Sequence, residues 1–333
     1  MRKARVSRVL VALVVVAVGT TFAACRTDDP TTGGPTTTTT TLPQSVGVTS
    51  SGVGGPFAAV GQVYRVAVGR LGRNRIAPRV DKGQFVAPTV LVAYRQFGSG
   101  PNLLLISGEH STMTSWDPRF LLALAAHYTV TEFDFPDVGF SAPDARYTSV
   151  TALADYTAGL VWALGLERPT VLGWGFGGEV ALSLVERHPG LIWRLVLADA
   201  TAGGALSTPP ATDVAQSLAS PVETPTELSY LFYPLGAASS RATWLSDSSK
   251  VTADVMTAAA VLHEANVVAN GYSSDRVEKS LGQVGIPTLV FAGGEDDVVP
   301  AQNADLLAAL IPHAQFDLFP HGGYATLFEE APA

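Results

Sequence analysis

A glycine-rich turn between a strand and a helix is the part of this sequence best suited to hold reacting groups. Residues 170–189 read TVLGWGFGGEVALSLVERHP. The apolar residues at the start predict a short buried strand, and the apolar spacing over 179–188 predicts a helix. A sharp turn between two such elements can hold a catalytic serine in the pattern G-x-S-x-G. Residues 173–177 read GWGFG, so Gly175 stands where that pattern has its serine.

The same glycines also satisfy a phosphate-binding pattern. Gly173, Gly175 and Gly178 fit G-x-G-x-x-G between a strand and a helix, and Asp199 follows about 20 residues later. In that pattern the glycines let the backbone approach a pyrophosphate, and the acidic residue binds a ribose. The pattern usually opens the first β–α–β unit of its domain, whereas roughly 100 residues with strand and helix patterns precede it here. Dinucleotide binding is therefore a minor alternative.

The segments around this turn alternate between apolar strands and helices. This alternation predicts an α/β protein with a mostly parallel, doubly wound sheet that has helices on both faces. Residues from about 202 to 280 interrupt the alternation with helical patterns and no clear strand, which indicates an inserted helical cap. The predicted strands are 62–68, 90–95, 103–106, 130–133, 191–198, 288–291 and 316–319, and the predicted helices outside the cap include 115–128, 150–166 and 301–310.

Four further motifs occur in a fixed order on these elements. Residues 107–108 (SG) follow one strand, and residues 134–141 (DFPDVGFS) follow the next. Residues 293–300 (GGEDDVVP) fit G-x-x-D-x-x-x-P, and residues 320–328 (PHGGYATLF) end the series. Together with the glycine turn, these motifs make residues 85–333 resemble the α/β-hydrolase fold superfamily, in particular the actinobacterial hydrolases with a helical cap.

This resemblance implies the positions of a serine–histidine–aspartate triad, two of which carry other residues. Gly175 occupies the nucleophile position, and Tyr324 occupies the histidine position, or Ala325 if the last motif is shifted by one residue. Asp296 retains the acid, because its spacing to the following proline favours it over Asp297. Tyrosine has a reference pKa of about 10 and is a poor base near neutral pH. The resemblance therefore supports the fold and argues against serine-hydrolase activity.

The resemblance also implies where an oxyanion would be bound. The two backbone N–H donors would come from Phe176 and Glu109, and the carboxylate of Glu109 would repel an oxyanion unless it points away. Loss of the serine is expected to leave a cavity under the cap. The residues expected at this pocket are Gly108, Glu109, His110, Trp174 and Phe176, with further aromatic side chains from Phe140, Tyr230, Phe232 and Trp244.

Two histidines are the remaining candidate bases. His110 lies on the predicted oxyanion loop, His321 lies three residues before Tyr324, and both are expected at the surface. A metal site built from Glu109, His110 and Asp296 lacks a recognised ligand spacing, so we expect no metal. We also expect no cofactor, apart from the minor dinucleotide alternative.

The first 57 residues have the composition of an export signal followed by a tether. Residues 1–25 join a basic start to an apolar run too short to span a membrane, and they end in FAAC, which resembles a bacterial lipoprotein box. Cys25, the single cysteine, would carry the lipid. Residues 26–57 are rich in Thr, Pro and Gly, which predicts a disordered linker to a folded domain at 58–333. We therefore expect a lipid-anchored protein on the extracytoplasmic face of the cell membrane, or a secreted protein if Cys25 is not lipidated.

These features together predict a class of function. The net charge of −8 and the lack of a basic patch argue against a nucleic-acid partner. We expect a pseudo-hydrolase that binds a small apolar or acyl-type ligand, or a partner protein, without catalysis. The alternative is a hydrolase that acts without a serine nucleophile, through water activated by Asp296 or by a histidine.

Overall fold

The computed structural model describes residues 46–48, 63–72, 89–144, 147–221, 224–249, 256–274 and 276–329 of the chain. The predicted signal peptide with Cys25, and the predicted linker apart from residues 46–48, lie outside the described residues. Those three residues form a strand, β1 (Val46–Val48), which pairs antiparallel with the next strand. This differs from the predicted disorder at these residues, because strand pairing satisfies their backbone groups.

The described strands form one nine-stranded sheet. The strands after β1 are β2 (Val63–Val68), β3 (Val90–Gly98), β4 (Asn102–Ile106), β5 (Thr129–Phe133), β6 (Thr170–Trp174), β7 (Arg194–Ala198), β8 (Thr288–Gly293) and β9 (Gln315–Phe319). Their spatial order is β1-β2-β3-β5-β4-β6-β7-β8-β9. Strands β1, β2 and β3 form an antiparallel edge that joins β5, and the six strands from β5 to β9 run parallel. The predicted fold class is confirmed.

Helices connect the strands and also fill the segment predicted as a cap. In the described residues between β7 and β8 there are helices and no strand. The helices are α1 (Pro118–Ala125), α2 (Val150–Ala163), α3 (Phe176–Arg187), α4 (Thr212–Leu218), α5 (Pro225–Phe232), α6 (Ala238–Ser248), α7 (Ala258–Tyr272), α8 (Arg276–Ser280), α9 (Gln302–Leu310) and α10 (Thr326–Glu329). Helices α4 to α8 therefore make up the described part of the insertion.

The sheet has an apolar core on each face. Helices α2, α3 and α7 contribute to the core on one face, and α1, α5, α6 and α10 contribute to the core on the other. Strands β6, β7 and β8 are buried at every position, and β4 is buried at four of its five positions. Burial on both faces explains why these strands read as continuous apolar runs instead of alternating patterns.

The strand order brings two loops together at one edge of the sheet. The chain passes from β4 to β5 on one side, and it then returns to β6 on the other side of β4. The parallel register pairs Ile106 with Gly173, so β4 and β6 end close to each other. Residues 107–110 and 175–176 follow these ends. Such a switch point at the carboxyl ends of parallel strands is where open α/β sheets bind ligands.

Candidate functional site

The turn between β6 and α3 keeps the sharp geometry of a nucleophile elbow. Gly175 sits there at φ 54° and ψ −124°, in a region of backbone space that favours glycine. A Cβ atom at this position would overlap the hydroxyl oxygen of Tyr324 and Oε2 of Glu109. The space that a nucleophilic side chain would need is therefore occupied. The cavity expected under the cap is present, but it lies beside Glu109 and not above Gly175.

Tyr324 places its hydroxyl group at the centre of the site. Its ring is buried and stacks on Trp174, with 4.7 Å between ring centroids, and it also packs against Phe232. The indole N–H of Trp174 donates to the carbonyl oxygen of Tyr324 over 2.7 Å. The hydroxyl oxygen accepts the backbone N–H of Glu109 over 3.0 Å, and the O–H donates to the Glu109 carboxylate. Tyr324, and not Ala325, therefore fills the position that the resemblance gives to a histidine.

The carboxyl group of Glu109 occupies the place where this fold would bind an oxyanion. Its Oε2 accepts the backbone N–H of Phe176 over 2.9 Å. Phe176 is the first residue of α3, and a carboxylate is favourable beside the unpaired N–H groups of a helix N-terminus. The second implied donor, the N–H of Glu109, is bonded to Tyr324. Both donors are thus used inside the protein and are closed to a substrate.

Electrostatics keep the proton on Tyr324. Burial raises the pKa of Tyr324 well above its ordinary value, and the nearby charge of Glu109 adds to this rise. Burial also raises the pKa of Glu109, while the bonds from Tyr324 and Phe176 offset part of that rise. A tyrosine whose pKa is raised in this way cannot serve as the base that histidine provides in a triad.

Asp296 is buried, and a turn of the backbone holds it. Its Oδ1 accepts the N–H groups of Val298 and Val299 over 2.8 and 2.9 Å, while Oδ2 has no hydrogen-bond partner in the described residues. Burial raises the pKa of Asp296 well above its ordinary value. The competing residue, Asp297, is exposed. Asp296 is therefore held inside the protein, but no histidine side chain of the described residues bonds to it.

The two candidate histidines lie in different surroundings. His110 is buried, its ring bonds to the carbonyl oxygen of Leu218, and burial lowers the pKa of the ring. The expectation that His110 lies at the surface is therefore wrong. His321 is exposed and bonds to Glu295 over 3.0 Å, as predicted for a surface residue. Among the described residues no group of three His, Cys, Asp or Glu side chains could hold a metal ion.

A cavity of about 370 Å³ lies beside Glu109, between the sheet and the inserted helices. The polar side chains among its described lining residues are those of Glu109, Glu264 and Tyr272, and the other described lining residues are apolar. The apolar lining residues are Pro209, Pro210, Ala215, Leu218, Ala219, Ala265, Val268, Ala269 and Val298.

Most of the aromatic residues expected at the pocket belong to the core instead. Trp174, Phe232 and Trp244 are buried together in the core on the α1 face of the sheet. Phe176 is buried in the core on the opposite face, and Tyr230 is 59% exposed. Phe140 packs against a small cluster that includes Met113, and Gly108 is covered by the Tyr324 hydroxyl. Of the side chains predicted at the pocket, Glu109 is the one that lines this cavity.

Two glutamates near the cavity were missed in the sequence. Glu264 lies on α7 and its Oε1 accepts the backbone N–H of His110 over 2.8 Å, while Glu179 lies in the first turn of α3. Burial raises the pKa of each to about 8, and the charge of Glu109 contributes to both shifts. A signal was available, because each glutamate interrupts an otherwise apolar or glycine-rich helical face.

The structure argues against the dinucleotide alternative. The carboxyl group of Asp199 is buried, and its Oδ1 accepts the N–H of Gly293 over 2.7 Å. It therefore offers no acceptor to a ribose at the surface. The N–H of Phe176, which would face a pyrophosphate at the start of α3, already binds Glu109. The glycines serve the tight turn and the close approach of α3 to the sheet.

The sequence profile of the α/β hydrolase fold family matches residues 101–331, which is more than half of the chain. This protein therefore belongs to the α/β hydrolase fold family.

Individual relatives share this fold and are enzymes by name. A protein of Agrobacterium fabrum provisionally named as the carbamate hydrolase RutD is 28% identical over 244 residues, which cover 71% of this chain and 90% of the relative. The 2-hydroxymuconate semialdehyde hydrolase of a Pseudomonas species is 26% identical over 265 residues, with coverages of 77% and 91%. A solved thermophilic esterase from Thermogutta terrifontis matches with a TM-score of 0.59 and 20% identity, over 80% of this chain and 93% of the esterase. The similarity to this esterase shows only that the two proteins share a fold.

Proposed function

We propose that this protein is a non-catalytic member of its family that binds a small apolar or acyl-type ligand in the cavity under the cap. One observation carries the proposal. The hydroxyl group of Tyr324 and the carboxyl group of Glu109 fill the nucleophile space above Gly175, and they use both N–H donors of the oxyanion site. The centre that would perform acyl transfer is therefore replaced by a closed hydrogen-bonded unit.

The oxyanion donors are unavailable to a substrate, in addition to the missing nucleophile. Enzymes that lack a triad residue keep some rate enhancement because their oxyanion donors remain available. Here the Phe176 N–H is bonded to a carboxylate, so a developing oxyanion would have to displace a group of its own charge. This arrangement supports a binding function more strongly than residual serine-type hydrolysis.

The adjoining cavity supports ligand binding directly. Its volume of about 370 Å³ and its mostly apolar walls are typical of pockets for small molecules. It lies at the switch point of the sheet, where ligands bind in related architectures. The cavity thus retains the shape of a binding site next to a centre that has lost its chemistry.

Binding and turnover can be measured on the same purified protein. We expect the neutral probe N-phenyl-1-naphthylamine to bind saturably and to raise the melting temperature, as any ligand selective for the folded state does. We also expect no hydrolysis of short- and medium-chain p-nitrophenyl esters above the buffer rate. Ala265→Trp should block the cavity, whereas Ala259→Trp on an exposed position of the same helix should leave probe binding unchanged.

Ester turnover would instead support the serine-free hydrolase. In that mechanism Asp296 or a histidine activates water. If Asp296 is the base, Asp296→Asn would abolish the turnover while keeping the size of the side chain. Wild-type turnover that is lost in Asp296→Asn would overturn the proposal. The geometry weighs against this outcome, because Oδ1 of Asp296 is held by two backbone N–H groups.

We further propose that Cys25 anchors the protein to the extracytoplasmic face of the cell membrane through a lipid. The FAAC motif at residues 22–25 supports this proposal. As a separate finding, none of the helices in the described ranges is both long enough and apolar enough to cross a membrane. Expression in a bacterial host with a clickable fatty-acid analogue should label the full chain. Cys25→Ser should remove the label, and label that persists in this variant would contradict the anchor.

A further inference from the structure

Three buried glutamates meet at the capped end of the sheet. Glu109 follows β4, Glu179 lies in the first turn of α3, and Glu264 lies in the middle of α7. Their exposed fractions are 5%, 2% and 5%. The negative charge of Glu109 acts on both of the others, so the three carboxyl groups form one electrostatic cluster.

The described residues provide no cation for this cluster. Oε2 of Glu109 accepts from Phe176 and Tyr324, and Oε1 of Glu264 accepts from the backbone of His110. Glu264 accepts only this bond from the described residues, and Glu179 accepts none from them. A buried carboxylate without a counter-ion is costly unless another group compensates its charge.

Two of these glutamates line the cavity. Among the described residues that line the cavity, Glu109 and Glu264 are the only charged ones, and the others are Tyr272 and apolar residues. A ligand in this cavity therefore meets apolar surface over most of its body and two carboxyl groups at one place. None of the described residues that line the cavity is basic, so none of them would receive a carboxylate or a phosphate.

We infer that the ligand carries one positively charged amine or ammonium group on a small apolar body. This inference rests on the proposed binding function and specifies its ligand. The cationic group would lie between Glu109 and Glu264 and favour the ionised form of these carboxyl groups, while the apolar body would cover the alanine, valine and proline walls. A ligand with a carboxylate head would add a further anion to the cluster. A neutral ligand would gain no charge attraction from the carboxyl groups.

Three probes of equal chain length separate these classes. Hexyltrimethylammonium, hexanol and hexanoate can be titrated calorimetrically into the purified full chain at fixed ionic strength. We expect the cation to bind about tenfold or more tightly than the alcohol or the acid, which corresponds to at least ~1.4 kcal/mol. Glu264→Gln should reduce this preference by about tenfold and change the affinity for the alcohol only slightly, because it removes the ionisable carboxyl group and keeps the shape of the side chain.

The control variants keep the test decisive. Glu179→Gln provides a second charge-removing variant outside the cavity wall, and circular dichroism checks that each variant is folded. Ala265→Trp should abolish binding of all three probes, and the exposed Ala259→Trp should not. If the alcohol binds as tightly as the cation, the inference is wrong while the binding function stands. If no probe binds, the inference is not supported by any ligand class and is wrong. If binding of the cation survives Ala265→Trp, the cation does not bind in this cavity and the inference is wrong.

Discussion

Two regions of this molecule bury carboxylate groups in opposite ways. On the face of the sheet that α2 and α3 cover, Asp155 of α2 contacts Arg187 and His188 at the end of α3. Nε and a terminal nitrogen of Arg187 donate to Asp155 over 2.7 and 2.5 Å, and Nε2 of His188 lies 2.9 Å from Oδ1. At the capped end of the sheet, Glu109 and Glu264 have no basic partner among the described residues.

The pKa shifts of the two regions differ in sign because Asp155 has basic partners, whereas Glu264 has none among the described residues. Burial alone would raise the pKa of Asp155, but the bonds and charges of His188 and Arg187 lower it overall. Burial raises the pKa of Glu264 to about 8, because only a backbone N–H opposes it. Basic partners within the protein thus balance the charge of Asp155, and the Asp155 cluster joins two helices. The glutamates lack basic partners among the described residues and adjoin a cavity. We therefore interpret the first cluster as structural and the second as a binding site.

The largest loss of stability should come from removing Asp155, which disrupts its cluster with Arg187 and His188. Asp155→Ala leaves Arg187 and His188 without their shared acceptor, and such losses typically cost about 3–5 kcal/mol. Urea unfolding followed by circular dichroism measures this change. Glu264→Gln is the matched control, because it replaces a buried carboxyl group that has no basic partner among the described residues, and it should cost far less. Equal losses in both variants would contradict the distinction between the two regions.

A second loss of stability tests whether the space above Gly175 is filled. Gly175→Ala combines strain at a positive φ with overlap against Tyr324 and Glu109, so we expect a loss of about 2–4 kcal/mol. Gly190 also has a positive φ, but a Cβ there would meet no atom within 4 Å. Gly190→Ala therefore measures strain alone, about 1 kcal/mol. Comparable losses at the two positions, measured by urea unfolding, would show that the space above Gly175 is open.

The smallest effect is a dependence of stability on pH. Glutamates titrate near pH 4.3 when unfolded, whereas the pKa values of Glu179 and Glu264 are raised to about 8. The folded protein therefore keeps protons that the unfolded chain has lost, and its free energy of unfolding should fall as pH rises between these values. The slope is at most ~1.4 kcal/mol per pH unit for each group. The lowered pKa of Asp155 acts in the opposite sense, at pH values below its ordinary range.

Unfolding at several pH values between about 5.5 and 7.5 measures this slope. Glu264→Gln and Glu179→Gln should each flatten it, and combining them should flatten it further. A free energy of unfolding that rises with pH over this window would contradict the proposed absence of a counter-ion.

The sequence predicted the architecture well because the fold depends on apolar periodicity. The central strands β4, β6 and β8 were found within one or two residues, since burial on both faces leaves an unbroken apolar run. Element ends were less certain. The helix predicted at 115–128 starts only at Pro118, because Asp117 caps its first turn and residues 113–115 form a separate 3-10 turn.

The site was predicted in part. Motif order identified Gly175, Tyr324 and Asp296, but the direction of the Glu109 side chain depends on contacts between residues far apart in the chain. Glu109 and Tyr324 are 215 positions apart, and no local pattern reports their bond. The expectation that aromatic residues line the pocket was largely wrong for a similar reason. Strand β6 is buried on both faces, so the ring of Trp174 belongs to the core whichever way it points.

The central claim is that Glu109 and Tyr324 close a centre that has lost its nucleophile. The most direct test is the rate of p-nitrophenyl butyrate hydrolysis by the wild type and two variants. Gly175→Ser/Tyr324→His restores two triad residues beside Asp296 but leaves the Glu109 carboxylate on the Phe176 N–H, and Glu109→Ala added to this pair frees that donor. We predict no turnover by the wild type, little or none by the double variant, and measurable turnover by the triple variant. Turnover by the wild type, or by the double variant at the rate of the triple, would contradict the account.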